Sequence, residues 1–105
     1  FRDVLAFPWV DDGGGWLIFR LPMSEMGIHP SDGSFQQQHG DAAISGSVLY
    51  LMSDDVHATI ESLKKRNVVC SELQTEEWGI AATVQLPSGG RIGLYQPAHK
   101  MAIAW

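Results

Sequence analysis

Leu86-Pro87-Ser88-Gly89-Gly90-Arg91-Ile92-Gly93-Leu94-Tyr95-Gln96-Pro97 is the stretch from which the rest of this chain can be read. Ser88-Gly89-Gly90 supplies residues that tolerate a positive φ, so a strand end, a tight turn and a second strand follow one another. From Arg91 onward the residues alternate. Ile92 and Leu94 share one face, and Gly93 and Tyr95 share the other. Pro97 has no N–H for the ladder and closes the strand. A shorter copy runs Leu21-Pro22-Met23-Ser24-Glu25-Met26-Gly27-Ile28-His29-Pro30: Leu-Pro, a connection, then Gly, an aliphatic residue and a ring, closed by Pro. Trp16 precedes the first copy and Trp78 the second. The pair points to an internal duplication of a small β-rich unit.

Outward from these copies, residues 1–7 read as the last turns of an amphipathic helix, with Phe1, Val4 and Leu5 at helical spacing and Pro8 ending it. Trp9-Val10 is a short strand, 11–15 a turn, 16–21 a strand and 26–29 a short strand. Residues 31–47 are polar and glycine-containing, with a Gln36-Gln37-Gln38 run, and read as a mobile linker. Residues 48–53 read as a strand apolar on both faces, hence covered on both sides. Asp54-Asp55 caps a helix whose Val56, Ile60 and Leu63 form one buried stripe. Lys64-Lys65-Arg66 complements the dipole at its end, and Asn67 is a left-handed stop. Strands over 68–73 and 78–86 follow, with Glu76-Glu77 at the turn between them. The second half therefore reads β-α-β-β-β. The first half reads as the same unit without its leading strand and half of its helix.

Composition fits one α+β domain of 105 residues, divided as 1–30 first unit, 31–47 linker, 48–97 second unit and 98–105 tail. Hydrophobic residues make up 45% and charged residues 18%, as in a folded chain. The net charge of −5, with no basic run beyond Lys64-Lys65-Arg66, argues against nucleic acid and anionic membrane as partners. No apolar run approaches the length of a membrane span. The single cysteine, Cys70, excludes an internal disulfide and fits a reducing cytoplasm. A sheet missing a strand exposes unpaired backbone groups, so a homodimer is expected, with Trp9 and Trp16 near the contact.

The order and spacing of Phe1-Arg2-Asp3-Val4-Leu5-Ala6-Phe7-Pro8, of Asp54-Asp55-Val56-His57-Ala58-Thr59 and of the 86–97 stretch resemble the vicinal oxygen chelate superfamily. Its members include glyoxalases, bleomycin-resistance proteins and extradiol dioxygenases. The resemblance covers nearly the whole chain apart from the linker and residues 100–105. It implies a cupped mixed sheet built by two β-α-β-β-β units, with the cup as the site. It also implies metal ligands on the first and last strands of each unit. The matching positions here are Gly93, Gly27 and Val48, with Ser47 beside the last. None carries a side chain that binds a divalent cation at neutral pH, so no metal and no cofactor are expected.

The ring-bearing residues next to those positions are the candidate ligand contacts. His29 and Tyr95 stand two residues beyond Gly27 and Gly93, on the same faces. Tyr50 and Met52 share the face of Val48, and Trp78 precedes the second copy; all are residue types that line small-molecule pockets. Each also has an ordinary reading: a strand-end histidine for His29, plain packing for the rest. His39, His57 and His99 share no ligand spacing and read as surface. No catalytic residue stands out, because no Ser–His or Cys–His signature is present and the acidic pairs are adjacent, facing opposite ways in a strand. The leading reading is metal-independent binding of a small apolar or aromatic molecule, as in the drug-sequestering members of the family. The alternatives are a glyoxalase-type metal-dependent lyase or dioxygenase, and an inactive homologue kept for protein–protein contact.

Overall fold

The computed structural model describes residues 1–26 and 36–103, which fall into two compact units. The first comprises residues 1–26 together with the segment from Met101. Its strands β1 (Trp9–Asp11) and β2 (Leu17–Phe19) pair antiparallel. Gly13, Gly14 and Gly15 all take positive φ in the turn between them, as the run of three glycines requires. Residues 1–7 form no helix, contrary to expectation. The Phe1 carbonyl instead accepts a hydrogen bond from the Phe7 N–H at 3.0 Å, with Ala6 turned to φ 54°. Phe1 then packs on Phe7 and Phe19 with ring centroids 5.9 and 5.8 Å apart. These aromatic contacts set the path of the segment instead. The Glu25 carboxylate accepts from the N–H groups of Ala102 (2.7 Å) and Ile103 (3.3 Å).

The second unit contains the helix and the larger sheet. Strands β3 (Gln36–His39) and β4 (Ala42–Ser45) form an antiparallel hairpin. This stretch was expected to be linker. Gly40, at φ 63°, takes the first place of a two-residue loop, the geometry that such hairpins favour. The larger sheet has four strands: β5 (Tyr50–Met52), β6 (Gln74–Glu76), β7 (Gly79–Gln85) and β8 (Arg91–Pro97), in the order β5-β8-β7-β6. β5 runs parallel to β8; the other pairs are antiparallel. The crossover from β5 passes through helix α1 (Val56–Lys65), as a parallel pair demands. The segment after α1 joins β7 before β6 begins, through the Cys70–Val84 bridge and the bond from Ser71 N–H to the Thr83 carbonyl. The β-α-β-β-β order read for this half is therefore present.

Local chemistry explains the boundaries. Asp55 is the N-cap of α1, and its carboxylate accepts from the Ala58 N–H at 3.0 Å. Asn67 takes φ 60° just past the helix. Leu86-Pro87-Ser88-Gly89 makes a turn closed by the Gly89 N–H on the Leu86 carbonyl, 2.9 Å, with Gly89 at φ 91°. Trp78 lies in the tight turn before β7, not in the strand, because Glu76 pairs directly with Gly79. β5 spans three residues at the sheet edge, and Val48, Leu49 and Tyr50 are exposed, so this strand is not covered on both sides.

The core lies between α1 and one face of the sheet. Val56, Ile60 and Leu63 of the helix are buried with Ala82, Val84 and Leu94. The sheet register places Ala82 opposite Leu94 and Val84 opposite Ile92. The side-chain carbonyl of Gln96 accepts from the Val56 N–H at 3.0 Å, fixing the start of α1 to β8. The opposite face of the sheet carries Tyr50, Met52, Thr83, Gly93 and Tyr95 by alternation.

Candidate functional site

The helix-free face of the larger sheet bears an aromatic cluster. β5 delivers Tyr50, β8 delivers Tyr95, and the turn before β7 delivers Trp78. The three rings meet edge to face: Tyr50 to Tyr95 at 5.5 Å and 84°, Tyr50 to Trp78 at 6.0 Å and 81°, and Trp78 to Tyr95 at 5.5 Å and 67°. Such pairs set the positive edge of one ring on the negative face of another. Tyr95 is the buried centre, at 9% exposure, while Tyr50 and Trp78 are 44% and 39% exposed. The cluster therefore has a fixed base and two rings with surface open to solvent.

His99 completes the cluster. Its ring stacks on Tyr95 at 6.0 Å and 26°, and its Nε2 lies 3.2 Å from the Tyr95 hydroxyl. Its Nδ1 is 2.9 Å from the Lys100 carbonyl, which can only accept, so Nδ1 donates a hydrogen there. Nε2 and the Tyr95 hydroxyl share the second hydrogen bond of the ring. Sequence reading placed His99 on the surface tail. His99 is exposed, as that reading had it; the Ala98 N–H bonds the Trp78 carbonyl at 2.8 Å, extending the β7–β8 pairing and bringing the next residue to the cluster.

Of the residues expected to contact a ligand, Tyr50, Trp78 and Tyr95 come together. Met52 lies on the same face by register, opposite Tyr95. Val48 is exposed ahead of β5, and His29 lies outside the described residues. Beside the aromatic cluster, Arg91 donates to the Thr83 hydroxyl at 3.1 Å, giving that face a polar margin.

The metal chemistry implied by the resemblance does not fit the described residues. At position 93 there is no side chain, and the space that a Cβ would need is taken by the Tyr50 ring. Val48 offers no donor, and Gly27 lies outside the described residues. Among the described residues, no three His, Cys, Asp or Glu side chains are grouped to hold a metal ion. Nor is any helix among them long and apolar enough to cross a membrane.

No family profile matches the chain. No curated protein matches it either. Solved structures do. TnmS3, an antibiotic binding protein from Streptomyces sp. CB03234, is 24% identical with a TM-score of 0.54, over 92% of this chain and 80% of that one. A protein from the mobile metagenome of V. Pseudocholerae is 20% identical with a TM-score of 0.53, over 93% of this chain and 81% of that one. A glyoxalase/bleomycin resistance protein from the same Streptomyces strain is 24% identical with a TM-score of 0.49, over 90% of this chain and 83% of that one. The chain is thus a small α+β protein that shares its fold with TnmS3 and with the metagenome protein.

Proposed function

We propose that this chain binds a small, flat, apolar or aromatic molecule, without a metal ion, on the face formed by Tyr50, Trp78 and Tyr95. The observation that carries the reading is the edge-to-face cluster itself, with a buried centre and two half-open rings. Rings held by one another lose little freedom when a ligand stacks on them, which favours affinity. Met52 supplies an adaptable apolar neighbour, and His29 and Val48 complete the proposed contact set. A ligand cation over an exposed ring would add about 0.5–2 kcal/mol. TnmS3, named as an antibiotic binding protein, shares the fold and supports a small-molecule reading. The lone cysteine supports a cytoplasmic setting, and the exposed apolar side chains of the β1–β2 hairpin support a homodimer.

Tryptophan fluorescence tests the site. Naphthol, anilinonaphthalene sulfonate and proflavine represent neutral, anionic and cationic flat molecules. Saturable quenching by at least one, weakened about tenfold or more by Tyr50→Ala, is expected, since a lost ring contact is worth roughly 1.4 kcal/mol. Absence of saturation with all three overturns the proposal. So does saturation that Tyr50→Ala and Trp78→Phe leave untouched.

A further inference from the structure

Gly93 is an unusual choice for the middle of β8. It is buried, flanked by Ile92 and Leu94, and paired on both sides, with Tyr50 in β5 and Thr83 in β7. A glycine inside a strand loses chain entropy and gives nothing to pack. The usual compensation is a positive φ, but Gly93 is absent from the residues with that conformation. Backbone geometry therefore does not call for glycine here. Space does. A Cβ built at Gly93 would collide with Cγ, Cδ1 and Cε1 of Tyr50, all along one side of the ring. By contrast, a Cβ at the turn glycine Gly89 would meet nothing within 4 Å.

We infer that Gly93 is the positioning residue of the aromatic face: its missing side chain is the seat in which the Tyr50 ring lies. From that seat Tyr50 stands at 84° to Tyr95 and 81° to Trp78. Any side chain at position 93 lifts the ring off the sheet and breaks both contacts. The affinity consequence rests on the binding reading above; the geometric one does not. Gly93 touches the ligand only through Tyr50, so specificity for a flat molecule is set by a residue with no side chain. Aromatic residues cover strand glycines in other sheets for stability alone, so the test must separate stability from ring placement.

Gly93→Ala, Tyr50→Ala and the double variant are compared in the full chain by near-ultraviolet circular dichroism, thermal melting and naphthol titration. Gly93→Ala is expected to lose the same near-ultraviolet signal as Tyr50→Ala and to weaken naphthol binding by a similar factor, roughly tenfold. The double variant should be no weaker than either single one, because both act on one ring. It should also melt higher than Gly93→Ala alone, since the collision is gone. The inference is overturned if Gly93→Ala keeps the wild-type near-ultraviolet signal, or if the two binding losses add. Should Gly93→Ala fail to fold, the double variant must fold; if it does not, the Cβ collides with something other than Tyr50 and the inference fails. If the wild type does not bind naphthol or the other two probes, the binding reading fails, while the near-ultraviolet comparison still decides the role of Gly93.

Discussion

Cys70 shows how burial changes one group. Its thiol sits half-buried where the segment after α1 bridges Val84, and desolvation pushes its pKa up, with the Lys64 charge pulling weakly the other way. A raised thiol pKa means less thiolate near neutral pH, so Cys70 should react more slowly with a disulfide reagent than free cysteine does. Reaction as fast as free cysteine would contradict this. The same shift makes a small stability contribution that is present below the ordinary thiol pKa and lost as pH rises through the higher folded value. Asp55 makes a second residue-scale prediction. Asp55→Ala removes the acceptor for the Ala58 N–H and should cost about 0.5–2 kcal/mol, whereas Asp55→Ser should keep most of that, read by thermal melting. The capping role was legible in Asp54-Asp55 before an apolar stripe. The Tyr50–Gly93 contact was not, since it depends on the register of two strands far apart in sequence, which alternation within either strand does not specify.

At the scale of elements, α1 was legible because its stripe is periodic and its ends are chemically marked. Leu63→Ala should cost about 2–5 kcal/mol in a denaturant melt, because Leu63 is buried against the sheet with Val56 and Ile60. A loss below about 1 kcal/mol would mean that the helix is poorly packed. The β3–β4 hairpin went unread for a physical reason. Its strands are polar and exposed, so no buried face imposes an apolar alternation, and only Gly40-Asp41 between Gln36-Gln37-Gln38-His39 and Ala42-Ala43-Ile44-Ser45 marked a two-residue loop. Gly40→Val forces a β-branched residue to φ 63° and should loosen this hairpin alone. Amide hydrogen exchange should quicken at Gln37 and Ile44 and stay unchanged in β7 and β8. Helical spacing of Phe1, Val4 and Leu5 misled because a segment with Phe at both ends also suits an aromatic turn.

For the molecule as a whole, much apolar surface remains open. Trp16, Met23 and Val10 are 73%, 71% and 62% exposed. Burial of such side chains against a second copy would be favourable by about 25 cal/mol for each Å² covered. The proposed homodimer should appear in sedimentation at micromolar concentration, and Val10→Lys with Ile18→Lys should shift it toward monomer. A wild type that sediments as monomer throughout would remove the proposal. The fold class was legible at this scale because the second half carries all of its own signals: cap, stripe, turn and closing proline. The chain's first half carries only fragments of them. The order of strands has one more effect, on time. β8 is an interior strand of the sheet, flanked by β5 and β7, yet it comes last of the four in sequence. Until residues 91–97 leave the ribosome, β5 has no partner in the sheet, and the start of α1 lacks the acceptor that Gln96 supplies. The helix and the β6–β7 pair must wait with apolar faces open, the condition in which nascent chains associate wrongly. Pairings across so long a span of sequence also make the folding step slow.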